Sequence, residues 1–167
     1  MIYRKILILI VVLLLSVPSG VVLADTFQLY FIRHAEKMTT PKGNPPLTEQ
    51  GHARAAALKA FFADRDLQVI FSSDYQRTLD TARPVAGDKN LQVKLYNPRQ
   101  LEQLAELLLN TKRNSLIVGH SNTTPQLVAL IGGEPLELEE TDFGDLTIVT
   151  VNTDSDVRQT QHIKVDP

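Results

Sequence analysis

Apolar runs no longer than a strand alternate with helix-length segments along this chain, and that alternation limits its fold more than any other feature. Phe27 to Ile32, Leu67 to Phe71, Leu91 to Tyr96, Ser115 to Gly119 and Leu146 to Val151 read as strands, and Gln161 to Val165 as a sixth. Between them the spacing predicts helices over 49–63, over 74–82, from Pro98 onward, and up to Ile131. Thr48 suits the N-cap of the first, and Ser73 with Gln76 has the form of a capping box for the second. Pro84 is expected to end or kink that second helix. Asn97-Pro98 offers a cap followed by proline for the third, whose stripe is Leu101, Leu104, Ala105 and Leu108. Gly51 sits early in the first helix, at a cost in helix propensity that some packing or functional reason must offset. Buried strands alternating with helices make an α/β fold, a mostly parallel sheet covered on both faces.

In such folds ligands sit beyond the carboxyl ends of the strands. Arg33-His34, Arg77 and His120 all lie just past the end of an expected strand. Distant segments therefore converge on one rim. The stretch Arg33-His34-Ala35-Glu36-Lys37 closes the first strand with four ionisable residues out of five, where a neutral turn is the ordinary exit. The acidic stretch from Glu134 to Asp145 reads as a solvated loop, and His52 and His162 as ordinary surface or strand residues.

The first 24 residues differ from the rest. Arg4 and Lys5 precede an unbroken apolar run from Ile6 to Leu15, Pro18 and Gly20 follow, and Val22-Leu23-Ala24 offers small residues for cleavage. This is the pattern of a secretory signal over 1–24, with one domain over 25–167 and a periplasmic or secreted destination. The alternative is an uncleaved membrane anchor, because Ile6 to Ala24 approaches spanning length. After cleavage no stable membrane insertion is expected. Taking Arg4 and Lys5 from the 17 basic residues leaves 15 against 19 acidic ones, a net of −4. Bulk charge thus gives no support for nucleic-acid binding. With no cysteine and four scattered histidines, disulfides and thiol chemistry are excluded and a structural zinc site is disfavoured.

Two histidines and two arginines on one rim suit phosphoryl transfer. That reaction spreads negative charge over the equatorial oxygens, and its catalysis is mainly positioning and electrostatic stabilisation. The guanidinium fork matches phosphate oxygens two at a time. A neutral imidazole can attack phosphorus and split one displacement into two. The start of the helix near Asp74 would add a favourable dipole of about 0.3–1 kcal/mol toward an anion.

Four ordered motifs carry a family resemblance. They are Arg33-His34-Ala35-Glu36, Pro46 to Gly51, Ser72 to Ala82, and Gly119-His120-Ser121-Asn122-Thr123. Together they resemble the histidine phosphatase superfamily, the phosphoglycerate mutase-like group, in its small branch 1 form. The resemblance implies a three-layer α/β/α sandwich with a mixed sheet and a phosphohistidine formed on His34. It also implies a phosphate pocket lined by Arg33, Arg77 and His120, with no cofactor and no metal. Glu36 and Asn122 are further candidates for substrate contact. The usual Arg-His-Gly reads Arg-His-Ala here, and the family's proton donor has no clear counterpart. Glu102 is the first candidate for that role, Glu36 the second and Asp142 the third. Little chain lies between Arg77 and His120, so the expected substrate is a bulky phosphorylated molecule. A lipopolysaccharide core sugar phosphate is one example, with a phosphohistidine protein as the alternative. A catalytically silent phosphate-binding domain is the rival from another class.

Overall fold

The computed structural model describes residues 26–155 and 157–167, so the leader expected over 1–24 lies outside the described residues. Six strands and four helices follow in the order β1 (Thr26–Arg33), α1 (Glu49–Phe62), β2 (Val69–Ser73), α2 (Gln76–Lys89), β3 (Val93–Tyr96), α3 (Leu101–Thr111), β4 (Ser115–Gly119), α4 (Thr123–Leu130), β5 (Asp145–Asn152) and β6 (Arg158–Lys164). They form one sheet of order β3-β2-β4-β1-β5-β6. The first four strands in that order are parallel, while β5 and β6 add on antiparallel. The sheet is therefore mixed, as expected.

Alternation along the strands builds two cores. Phe27, Leu29 and Phe31 of β1 join Leu101, Leu104 and Leu108 of α3 and Leu127 and Val128 of α4. Tyr30 and Ile32, pointing the opposite way, join Leu58 and Phe62 of α1 and Ala82 and Val85 of α2. Successive strand residues face opposite sides, so these two sets are the two faces of one sheet. The result is a three-layer α/β/α sandwich.

Several boundaries differ from the sequence expectation. β2 extends through Ser72 and Ser73 because their hydroxyls are satisfied internally, with Ser72 donating to the Ser73 carbonyl at 2.9 Å. Ser73 is thereby spent inside the strand, and no capping box forms. Tyr75 is the N-cap of α2 and makes no side-chain cap bond. The same helix runs through Pro84 to Lys89, where Asn90 closes it in the left-handed conformation (φ 53°). Val85 and Ala86, buried just past the proline, hold that continuation against the sheet. α3 begins at Leu101, not at Pro98, since Asn97 folds residues 97–100 into a turn, its carboxamide accepting from Arg99 N at 3.0 Å. β6 begins at Arg158, paired along the whole of β5.

Gly51 has the packing reason its cost demanded. The N-terminus of α1 lies against the segment after β1, where Thr48 N donates to the Glu36 carbonyl at 2.9 Å. A Cβ on Gly51 would collide with that same carbonyl.

Candidate active site

Register brings the two histidines together. Arg33, the last residue of β1, pairs with Gly119, the last of β4. The residues that follow, His34 and His120, thus leave neighbouring parallel strands side by side. His34 N donates to the Gly119 carbonyl at 2.9 Å, which locks the two exits to each other. The ring centroids lie 5.6 Å apart. Glycine suits position 119, because a Cβ would stand 2.9 Å from Thr124 Oγ1 and 3.0 Å from the Tyr96 hydroxyl and would force these side chains to shift. β2 runs on the other side of β4 and delivers Ser73 to His120, Oγ to Nε2, at 2.9 Å.

Hydrogen bonding orients both rings. His34 Nδ1 sits 2.8 Å from the Ala35 carbonyl. A carbonyl only accepts, so Nδ1 carries the hydrogen and Nε2 keeps its lone pair. Burial pushes the His34 pKa down to about 3, opposed by that backbone bond and reinforced by Arg33, Arg77 and His120. His120 is lowered to about 4, again by burial first and then by Arg77 and Arg33. Arg77 Nη2 lies 3.5 Å from His120 Nδ1. Since a guanidinium only donates, His120 Nε2–H points to Ser73. Ser73 Oγ in turn lies 3.1 Å from Thr78 Oγ1. Both imidazoles are neutral at neutral pH, and His34 Nε2 is a competent nucleophile.

Two guanidiniums accompany them. Arg33 is 2% exposed. Its Nη1 donates to the carbonyls of Glu139 (2.7 Å) and Asp142 (3.0 Å), and its Nη2 to Glu140 Oε2 (3.1 Å). The Phe143 ring lies 4.4 Å from its central carbon. Arg77, in the first turn of α2, stacks 4.5 Å from the Tyr75 ring centroid. That ring is in turn 5.1 Å from the His120 ring. Burial lowers the pKa of both arginines. Each also leaves its Nε buried without an acceptor among the described residues. Two unpaired cationic donors beside two neutral imidazoles suit a ligand with several anionic oxygens.

The other candidates fall elsewhere. Glu36 is not open to a substrate: both its oxygens accept from Arg54 Nε (3.1 and 3.0 Å), and Oε1 also accepts from Arg54 Nη2 (2.8 Å). Glu102 is exposed on the first turn of α3, and no hydrogen bond or ion pair ties it to the histidines or arginines. Asp142 uses Oδ2 to accept from Glu139 N at 2.8 Å, closing a turn. Asn122 is the exposed N-cap of α4 and makes no cap bond with its side chain. Thr123 Oγ1 instead accepts from His120 N at 3.1 Å. The first amide of α2 is likewise taken, Gln76 N donating to Asn44 Oδ1 at 2.7 Å, so the helix start offers an anion less than expected.

Sequence reasoning missed three contributors. Thr81 Oγ1 accepts from Ala35 N (2.9 Å) and donates to the Arg77 carbonyl (2.7 Å), joining the His34 segment to α2. Phe143 backs both Arg33 and His34. The acidic stretch is more than a solvated loop, because its carbonyls and Glu140 hold Arg33. Only Thr81, inside a quoted motif, carried a signal in the sequence. Among the described residues no group of three or more His, Cys, Asp or Glu side chains is arranged to hold a metal ion.

A sequence model described as the histidine phosphatase superfamily (branch 1) matches residues 29–107. Phosphoserine phosphatase 1 of Hydrogenobacter thermophilus is 38% identical over 72 residues, which cover 40% of this chain and 34% of that protein. The chain thus spans about a third of the length of the curated relative it matches. The solved structure of protein histidine phosphatase SixA with tungstate superposes with a TM-score of 0.67 at 15% identity, covering 83% of this chain and 97% of the other. A mycobacterial glucosyl-3-phosphoglycerate phosphatase gives 0.63 at 14% identity, over 85% and 100%. YhfR of Bacillus stearothermophilus gives 0.62 at 18%, over 84% and 98%. At these identities the structures speak for the fold, and it is the one the sequence resemblance implied.

Proposed function

Because residues 29–107 match the model of the histidine phosphatase superfamily (branch 1), we propose that the chain is a phosphomonoesterase working through a phosphohistidine on His34. The observation that carries this reading is the tautomer of His34. Its Nδ1–H is committed to Ala35, which leaves a neutral Nε2 beside two guanidiniums with unpaired donors. In the first half-reaction Nε2 attacks phosphorus and the ester oxygen departs. Arg33 and Arg77 hold the equatorial oxygens, whose charge grows or spreads in the transition state, and His120 joins them on taking up a proton at Nδ1, which the bound phosphoryl anion favours. In the second half-reaction water attacks the phosphohistidine and releases inorganic phosphate. No metal or cofactor is called on.

The substrate we propose is a bulky phosphorylated glycan or small molecule, such as a lipopolysaccharide core sugar phosphate. Only β3, α3 and short connections separate α2 from β4, so no inserted lid covers the rim. A cavity of about 510 Å³ lined by Tyr75, Leu95, Tyr96 and Arg99 opens beside His120's neighbour Tyr75. A second reading, dephosphorylation of a protein phosphohistidine, is suggested by the likeness of fold, over 83% of this chain, to SixA, a protein histidine phosphatase. Export to the periplasm or beyond rests on the leader pattern of residues 1–24. No helix among the described residues is long and apolar enough to cross a membrane.

Purified protein should hydrolyse an aryl phosphate, retain that activity in EDTA, and lose it in His34→Ala. Phosphate binding without turnover would instead make it a silent binding domain. A screen of phosphorylated sugars, phosphopeptides and phosphohistidine separates the substrate readings. The mass of protein recovered from the periplasm tests cleavage after Ala24.

A further inference from the structure

In-line displacement places the nucleophile and the departing oxygen on opposite sides of phosphorus. His34, 3% exposed, is on the floor of the site, so the leaving group must face the open side. An acid serving it must therefore stand at the rim. Glu102 is untied to the site, Glu36 is locked on Arg54, and Asp142 is committed to its turn. Glu140 alone among these acids meets the requirement. Its side chain is 80% exposed, yet both oxygens are held by site residues. Oε2 accepts from Arg33 Nη2 at 3.1 Å, and Oε1 accepts from Ser121, the residue after His120, at 2.8 Å.

We propose that Glu140 is the general acid that protonates the leaving oxygen, an assignment that rests on the phosphatase reading above. As His34 Nε2 bonds to phosphorus and the P–O ester bond breaks, the Glu140 O–H proton passes to the departing oxygen, and Glu140 becomes a carboxylate. In the second half-reaction the attacking water gives a proton to that carboxylate while its oxygen joins phosphorus and the N–P bond breaks. The acid is thereby restored. In the free protein the Ser121 bond and then the Arg33 charge hold the carboxyl below its ordinary range. A phosphoryl dianion on Arg33 reverses this, since a like charge nearby disfavours the ionised form.

The test is Glu140→Gln, whose carboxamide oxygen can still accept from Arg33 while its NH2 donates to the Ser121 hydroxyl, but which cannot release a carboxyl proton. Its kcat/KM is measured on 4-nitrophenyl, phenyl and alkyl phosphates alongside the wild type, because kcat/KM reports the step in which the ester bond breaks. The 4-nitrophenyl ester, whose leaving group needs no proton, should change by less than about threefold. The alkyl ester should fall by about 100-fold or more, the size expected of a general acid. An equal fall across the series, or an unchanged alkyl ester, overturns the assignment. Labelling of His34 by substrate in the wild type separates the two levels. With the label present, a flat series removes only the Glu140 role; with no label and no turnover, the phosphatase reading fails and the assignment with it.

Discussion

Arg33 and Arg54 are both buried guanidiniums, 2% and 7% exposed, and they are finished to very different degrees. Arg54 has every nitrogen engaged: two on Glu36, and Nη1 on the Val165 carbonyl at 2.5 Å and Asp166 at 3.1 Å. The Glu36 bond raises its pKa above the ordinary arginine value. It ties the segment after β1 to α1 and to the C-terminus, and it wants nothing more. Arg33 keeps an unpaired Nε, burial lowers its pKa, and its one ion-pair partner is largely exposed. A buried cation left incomplete costs stability. The contrast separates an arginine completed within the protein from one that still has a donor to give.

Replacing each arginine should divide the two roles. Arg33→Met should cut kcat/KM by about 10²–10³, the loss seen when one preorganised donor is removed from a transition-state charge. Its unfolding free energy should change less, because the abandoned partners are two carbonyls and an exposed carboxylate. Arg54→Met should do the reverse. It strands Glu36, and breaking such a pair costs about 3–5 kcal/mol, readable in urea unfolding, while the molecules that stay folded keep their turnover. Oxyanion binding sharpens the contrast. Phosphate or tungstate at a hundredfold excess over Kd should stabilise the wild type by about 2.7 kcal/mol. The corresponding rise in Tm should persist in Arg54→Lys and vanish in Arg33→Met.

The legible part of this molecule was whatever a periodic pattern or a strand tip announces. Apolar runs placed all six strands, and the rule that ligands gather past strand ends puts Arg33, His34, Arg77 and His120 on one rim. Partnerships were not legible in the same way. Nothing local distinguishes Glu36, which is locked on a residue 18 positions away, from Glu140, which reaches back 107 positions to Arg33. Ser73 looked like a helix cap because its spacing to Gln76 is right, but a tertiary contact with His120 outbid the local bond. Pro84 looked like a helix stop because the burial of Val85 and Ala86 is not a local property either. Propensity is a weak prior wherever packing has a stake.

Acid titration distinguishes the same two regions by pH window. The site histidines are depressed to about 3 and about 4 in the folded protein, against an ordinary value near 6.5. Below pH 6.5 the unfolded chain binds protons that the folded protein refuses. Stability is therefore full above that pH and falls as pH drops toward the folded values, by up to about 1.4 kcal/mol per pH unit per histidine. Glu36 is also depressed, so its contribution is present above the carboxylate range and is lost only as pH falls below 4.5. Unfolding of His34→Asn followed from pH 7 to 5 should show about half the wild-type slope. In Glu36→Gln that interval should keep its wild-type slope, with differences confined to lower pH.

The smallest effect expected is the most pointed test of the comparison. Asp166 and Glu140 are matching exposed carboxylates, 67% and 80% exposed, each 3.1 Å from a buried guanidinium. Exposed pairs contribute little, about 0–1 kcal/mol. In Asp166→Asn, Arg54 Nη1 still donates to the Val165 carbonyl, so unfolding should shift by less than about 1 kcal/mol and kcat/KM should not move. Glu140→Gln should be as mild in unfolding, since the arginine it touches is held by two carbonyls besides. The two variants should then differ only in turnover of esters with poor leaving groups. If Asp166→Asn slowed that turnover as much as Glu140→Gln, charge on the rim in general would be responsible, and the distinction between a finished and an unfinished arginine would carry no chemistry.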